Sequence, residues 1–256
     1  MKIHPSAIVH PGSDIGDRVE IGPYTIIEDN VKIAEGTQIS SHVQIASGTR
    51  LGKNCRVFHG AVLGTIPQDL KFAGEETALE IGDRTTIREY ATLNRGTSDR
   101  KKTVIGNDCF LMAYSHVAHD CVLGNNVVIA NTVNMAGHVV IEDYAGIGGI
   151  VPIHQFVRIG MHSFIGGGYR VAKDVPPFIL ALGEPLQYGG LNMVGLKRRG
   201  FTDAILSALK MAYRIIYRQN LNLQDALDKI EHNIEQAAEV KYLVSFFRNS
   251  ERGVIR

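Results

Sequence analysis

The chain has 256 residues, 45% hydrophobic and 21% charged, with a formal net charge of +1; this is ordinary globular composition and gives no electrostatic reason to expect nucleic acid. No apolar run approaches the ~20 residues that span a bilayer, so no transmembrane segment is expected, and the opening MKIHPSAIVHPGSDIG carries no apolar signal core. Three cysteines, Cys55, Cys109 and Cys121, form no CxxC pair, and an odd count at this spacing points to reduced thiols and a cytoplasmic setting.

From Ile3 onward, every sixth residue is aliphatic. Ile, Val, Leu or Met fills 26 of the 29 such positions between residues 3 and 171, where composition alone gives about eight. The misses are Asp69, Glu75 and Asp99. A period of six matches neither a helix nor a plain strand; it suits one short strand and one turn per unit. The residue after the aliphatic one is often Gly, as in Ile15-Gly16, Leu51-Gly52, Ile105-Gly106 and Ile159-Gly160. Gly there suggests a corner that needs positive φ. A second inward position, four residues after the aliphatic one, holds small or β-branched residues and all three cysteines. The thiols therefore read as small core groups, not as nucleophiles or metal ligands.

Residues 64–80 and 94–104 lack aliphatics in register, yet the original phase resumes after each. Both are expected to be loops thrown out of an intact solenoid, and such loops are disproportionately functional. Between them and the end of the repeat lie His116, His119, His138 and His154. A histidine on such a scaffold can be structural, solvent-facing, metal-binding or catalytic. His119 stands out because Asp120 follows it and can fix its tautomer. If a coil has three six-residue sides, Gly137 stacks on His119 with His138 beside it. A base next to a Gly backbone N–H is a usable arrangement for acyl transfer.

The repeat is expected to stop near Asp174-Val175-Pro176-Pro177, because proline cannot donate to a ladder. Residues 178–195 look irregular. From Thr202, a plausible N-cap, the apolar period becomes helical, with Ile205, Leu206, Leu209, Ala212 and Ile216 on one face. Further helices are expected over Leu223–Gln236 and about Glu239–Phe247. The domain division is thus 1–177 and 178–256, with the helical tail covering the open end of the solenoid or presenting a partner surface. Residues 195–256 carry 11 Lys/Arg against 7 Asp/Glu; by itself this reads as a solvated helix surface, as Lys197-Arg198-Arg199 reads as a solvated turn.

The hexads, Gln68-Asp69-Leu70-Lys71-Phe72, Ala118-His119-Asp120-Cys121, Ala136-Gly137-His138, His154-Gln155-Phe156 and Gly195-Leu196-Lys197-Arg198-Arg199-Gly200-Phe201 resemble the UDP-N-acetylglucosamine O-acyltransferase family over essentially the whole chain. The resemblance implies a mainly β fold, a left-handed parallel β-helix of hexapeptide repeats with a C-terminal α-helical domain, and a homotrimer with active sites between subunits. It implies transfer of an (R)-3-hydroxyacyl chain from acyl carrier protein to the 3-hydroxyl of UDP-N-acetylglucosamine, the first step of lipid A biosynthesis. No cofactor or metal is implied beyond the carrier's phosphopantetheine. His119 would be the general base, Asp120 its partner and Gly137 N–H the oxyanion donor. Gln68, Asp69, His116, His138, His154 and Gln155 would line the sugar and acyl site; Asn192, Arg198 and Arg199 would hold the nucleotide. Arg suits phosphate because its planar fork binds two oxygens. The basic tail would then meet acidic acyl carrier protein.

Phe164, Gly167 and Pro185 would set acyl length. Small residues at Gly166-Gly167-Gly168 leave room for a chain of about fourteen carbons or more. Val194 stands where some relatives carry Glu near the uridine. Two alternatives remain. One is N-acylation of a 3-amino sugar. The other is a zinc hydratase resembling γ-class carbonic anhydrase, with His116, His119 and His138 converging on one metal.

Overall fold

The computed structural model describes all 256 residues. Two-residue strands recur every six positions, and each pairs in parallel with the strand eighteen residues on, as Lys2 with Glu20 and Ile3 with Ile21. The strands form three sheets, of 11, 8 and 8 strands, with neighbours three elements apart in sequence. Together the sheets wrap into a left-handed parallel β-helix of triangular section, an exception to the right-handed crossover rule.

The core is the predicted aliphatic column. Ile27, Ile45, Leu63, Ile87, Leu111, Ile129 and Ile165 are all fully buried. The second inward position is buried as well, at Val19, Thr25, Val31, Thr37, Cys55 and Cys121. Its threonines stay satisfied because their hydroxyls donate to carbonyls, Thr25 to Ser40 at 2.7 Å and Thr37 to Gly52 at 2.8 Å. The cysteines are free and buried, and Cys121 Sγ points to Ala136 O at 3.2 Å.

The corners fall elsewhere than the glycine pattern suggests. Positive φ recurs at multiples of six, on Arg18, Asn54, Asp120, His138, Ile150 and Phe156, with φ between 50° and 65°. Such conformations cost about 1 kcal/mol or more each for a non-Gly residue, and the parallel ladders on both sides hold them. The glycines after the aliphatic residue have a different reason. A β-carbon on Gly106 would lie 2.3 Å from Gly124 O of the next coil, so close stacking of backbones, not φ, selects Gly there.

Corners stack into three edges. At one of them, the amide before each turn is satisfied by the side chain one coil above. Asp83 N donates to Asn107 Oδ1 at 2.7 Å, Asn107 N to Asn125 Oδ1 at 2.9 Å and Asn125 N to Asp143 Oδ1 at 2.7 Å. This Asx ladder closes an edge whose amides have no sheet partner.

The two loops leave the coil and return in phase. Val62 pairs with Thr92, thirty residues on, and Thr92 with His116, twenty-four on. The inserted segments are 66–77 and 95–101, shorter than the expected 64–80 and 94–104 because the flanking strands Val62–Thr65, Ala78–Ile81, Thr92–Asn94 and Lys102–Ile105 extend into them.

The last regular coil strand is Phe164–Ile165, after which Val171 and Val175 make single bridges to Ile153 and Ile159. The stretch read as irregular contains a hairpin. Strand Ile179–Leu182 extends one sheet and strand Gln187–Leu191 turns back antiparallel to it. Ile179 and Ala181 are buried while Leu180 and Leu182 are not, a period too short to find by eye between Pro and Gly. Helix α1 covers Met193–Arg198, α2 Asp203–Arg218, α3 Leu223–Asn233 and α4 Ala238–Arg248. Thr202 caps α2 by accepting from Ile205 N at 3.3 Å. Its buried face includes Leu206, Leu209 and Ala212 as expected, but Tyr213 and Ile215 are buried while Ile205 and Ile216 are only half-buried. The tail covers the end of the prism: Tyr213 Oη donates to Pro177 O, and Ser250 Oγ donates to Asp174 Oδ2 at 2.7 Å.

Candidate active site

His119 and Asp120 stand at the corner that follows strand His116–Val117. Asp120 takes the left-handed φ of 59°, which Asp tolerates better than most residues. That turn brings its carboxylate back under the imidazole. His119 Nδ1 lies 2.8 Å from Asp120 Oδ2. Asp120 is fully buried and His119 is 8% exposed, so the contact is scarcely weakened by water. An ionised carboxylate only accepts, so Nδ1 carries the proton and Nε2 keeps its lone pair free for proton abstraction.

The carboxylate is well supported. Thr97 Oγ1 donates to Oδ2 at 2.6 Å and Thr97 N to Oδ1 at 3.0 Å. Burial alone would raise the Asp120 pKa, but the Thr97 hydroxyl, His119 and the Thr97 amide together hold it below the ordinary carboxylate value. His138 stands one coil above, its ring 5.2 Å from that of His119 and nearly perpendicular. Its Nε2 is 3.6 Å from Asp120 Oδ2 and its Nδ1 3.4 Å from Asp99 Oδ2. Burial lowers the His138 pKa despite Asp120 nearby. Phe156, one coil higher again, stacks on His138 at 4.6 Å.

Gly137 lies against the His119 ring. A β-carbon there would come within 2.6 Å of Nε2 and 2.5 Å of Cε1. Unlike the amides of the Asx ladder, Gly137 N donates to no protein acceptor. A free donor therefore lies beside a free imidazole nitrogen, on a rigid stack. From loop 66–77, Asp69 brings Oδ2 to 4.0 Å from His119 Nε2. Asn94 anchors that loop through its amide to Thr65 Oγ1 and Ile66 O, both at 3.1 Å.

The other sequence-predicted residues divide among the edges. Gln155 is in the column of His119 and Gly137, two coils up, and His154 beside it is exposed, with Arg252 Nη2 3.1 Å from its Nδ1. Gln68 is exposed on the loop. His116 sits on the sheet face next to the corner, with Nδ1 2.7 Å from Thr92 Oγ1. The groups that converge are His119, Asp120 and His138; the three-imidazole set His116, His119 and His138 is not assembled.

Asn192, Arg198 and Arg199 gather at a second edge. Asn192 Oδ1 accepts from Gly195 N at 3.2 Å and its amide donates to His162 O at 3.0 Å. The Arg199 guanidinium lies over the Tyr144 ring at 4.3 Å, and Tyr144 stacks on His162 at 4.8 Å. Burial, then the Arg199 charge, lowers the His162 pKa. Arg198 is exposed. Phe164 and Gly167 lie on the eleven-stranded sheet and the third edge, and Pro185 in the turn between strands Ile179–Leu182 and Gln187–Leu191. Within one chain these groups do not meet His119. Sequence reasoning missed Thr97, Asp99, Tyr144, Phe156 and His162. The pairs His138–Phe156 and Tyr144–His162 were discoverable, because each is eighteen residues apart and therefore stacks; Thr97 and Asp99 lie in an insertion without register.

Residues 174–255 match the family described as UDP-N-acetylglucosamine O-acyltransferase, domain 2, and residues 102–137 match the bacterial transferase hexapeptide of six repeats. An acyl-[acyl-carrier-protein]–UDP-N-acetylglucosamine O-acyltransferase from Thiobacillus denitrificans is 49% identical over 99% of each chain. One from Chlorobaculum parvum is 56% identical over 98% of this chain and 96% of its own. The crystal structure of a UDP-N-acetylglucosamine acyltransferase from Bacteroides fragilis superposes with a TM-score of 0.98, at 47% identity over 99% of both chains. With relatives this similar over their full length, and an imidazole, a carboxylate and a free amide stacked at one corner, the chain belongs to the UDP-N-acetylglucosamine O-acyltransferase family.

Proposed function

We propose that the protein transfers an (R)-3-hydroxyacyl group from the thioester of acyl carrier protein to the 3-hydroxyl of UDP-N-acetylglucosamine, the first step of lipid A biosynthesis. The observation that carries the reading is the His119–Asp120 pair beside the unpaired amide of Gly137. His119 Nε2 takes the proton of the sugar hydroxyl, and the oxygen attacks the thioester carbon. The carbonyl oxygen becomes an oxyanion that the Gly137 N–H stabilises. Collapse expels the phosphopantetheine thiolate, which takes the proton back from His119. Asp120 stabilises the intervening imidazolium without being protonated itself. Asp69, 4.0 Å from Nε2, is placed to accept a hydrogen bond from the sugar. The reaction needs no metal or further cofactor.

The nucleotide is assigned to Asn192, Arg198 and Arg199 of a neighbouring copy in a homotrimer. The supporting observation is that these residues and His119 occupy different edges of one prism, so two chains side by side bring them to a common cleft. Acyl carrier protein, being acidic, is assigned to the helical tail, which carries the excess of basic residues. No helix is long and apolar enough to cross a membrane, and three free buried thiols support a cytoplasmic assignment.

The test is the product mass from purified enzyme, UDP-N-acetylglucosamine and a set of acyl carrier thioesters. An ester of the nucleotide sugar is expected; turnover confined to the 3-amino sugar overturns the acceptor assignment, and a clear preference for ten-carbon chains overturns the expected length. Mixing His119→Ala and Arg198→Ala subunits tests the shared site. With nucleotide sugar held well below the KM of the Arg198→Ala enzyme, mixed trimers are expected to turn over faster than either parent, and no gain would place both groups in one chain's site.

A further inference from the structure

The second insertion, 95–101, reaches the reaction corner through one buried side chain, Thr97, besides the exposed Asp99 and Arg100. Thr97 is 7% exposed and donates twice to Asp120, from Oγ1 to Oδ2 at 2.6 Å and from its amide to Oδ1 at 3.0 Å. Oδ2 is the same oxygen that faces His119 Nδ1 at 2.8 Å. The direction of the hydroxyl proton follows from its other neighbour. Asp99 N donates to Thr97 Oγ1 at 3.3 Å, so the oxygen is already an acceptor there and its own hydrogen is left for the carboxylate, which can only accept.

The segment that carries Thr97 is itself pinned on all sides. Lys101 N donates to Thr97 O at 2.9 Å, closing a single tight turn. Arg100 N reaches Asp120 Oδ1 at 3.3 Å and Arg100 Nη1 reaches Asp120 O at 3.0 Å. Glu75 of the other insertion accepts from Ser98 N at 3.0 Å. Gly96 passes so close to Lys102 that a β-carbon would lie 2.3 Å from its amide nitrogen, which fixes where the turn begins. The insertion has no other buried side chain aimed at the corner.

We propose that Thr97 is a positioning residue for acyl transfer, its hydroxyl and amide fixing the Asp120 carboxylate so that the carboxylate fixes the His119 ring. The inference rests on the general-base reading of His119. A carboxylate oxygen that accepts from Thr97 in one direction and from His119 in another cannot rotate without breaking one of the two bonds. The imidazole is thereby held with Nε2 toward Asp69 and the Gly137 amide. The charged and titratable groups that face this pair are Asp69, His138, Arg100 and, through His138, Asp99; all are unchanged when only the Thr97 hydroxyl is removed.

The test compares wild type with Thr97→Val, which keeps shape and removes the donor, and Thr97→Ser, which keeps the donor. With acyl carrier thioester and UDP-N-acetylglucosamine, Thr97→Val is expected to lose about 10-fold or more in kcat with both KM values within about twofold, the size typical of outer hydrogen-bond partners. Thr97→Ser is expected to restore kcat. In an Asp120→Asn background, Thr97→Val is expected to add little further loss, because both act through one carboxylate. Should Thr97→Val not give folded protein, Thr97→Ala serves as the deletion, with its melting temperature measured alongside. Wild-type kcat in a folded deletion variant, or full additivity with Asp120→Asn, overturns the role of Thr97. The His119→Ala control separates the two ideas: if it stays active, the base assignment itself fails, whatever Thr97 does.

Discussion

The imidazole of His119 fills the space that a β-carbon of Gly137 would need, with Nε2 2.6 Å and Cε1 2.5 Å from that position. Gly137 is therefore glycine because of a side chain eighteen residues earlier in the chain. The ring cannot yield cheaply, since Asp120 holds its Nδ1. Gly137→Ala is expected to fold and to lose about 10²-fold in kcat, the scale of a small misplacement of a reacting group. Steady-state kinetics with a thermal melt checks this; wild-type kcat would mean that the ring moves freely.

His119→Ala is expected to keep its melting temperature within a few degrees, because the aliphatic core column is untouched, and to lose ~10²–10⁴-fold in turnover. Asp120→Asn keeps the shape of the carboxylate but removes its charge, so a loss concentrated in kcat is expected as well. Single-turnover measurements with saturating substrates read the chemical step directly. Turnover at the wild-type rate in His119→Ala would refute the base assignment.

Arg198 is exposed at the second edge, free to take a phosphate. Arg198→Ala is expected to raise KM for the nucleotide sugar and to leave kcat little changed, the pattern of lost ground-state binding. A pure kcat effect contradicts the role.

Acid is expected to destabilise the protein in two steps. Burial holds the pKa values of His116, His138 and His162 below the ordinary 6.5. Below about pH 6.5 the unfolded chain binds protons that the folded one refuses, so stability falls as pH falls through that region. Asp120, held below its ordinary 3.8, adds a second loss from about pH 4 downward. Melting temperature against pH checks both. His162→Asn, lying far from the reaction corner, is expected to flatten the first step, and an unchanged profile in that variant would exclude His162 as a contributor.

The thiols are expected to be inert in the folded state. Burial pushes Cys109 up to about 11 and Cys121 up to about 12, and raises Cys55 as well. Alkylation at pH 8 followed by mass spectrometry is expected to give no adduct on Cys109 or Cys121 until denaturant is added. Rapid labelling of native protein would show that the coils open.

The sequence by itself determined the coil. A side chain must point inward once every six residues for the stack to bury a core, so the period of Ile27, Ile45 and Leu63 is written into the chain and survives both insertions. The same arithmetic put Gly137 over His119 and would have put Phe156 over His138. Tertiary structure alone decided the rest. Thr97 and Asp69 sit in insertions whose path depends on Asn94, Glu75 and Asp120 from other turns, and no local period encodes such contacts. It also decided that Arg199 and Asn192 stand at a different edge from His119, because the direction in which the tail leaves Pro177 depends on packing against Tyr213 and Asp174, not on any residue's own preference.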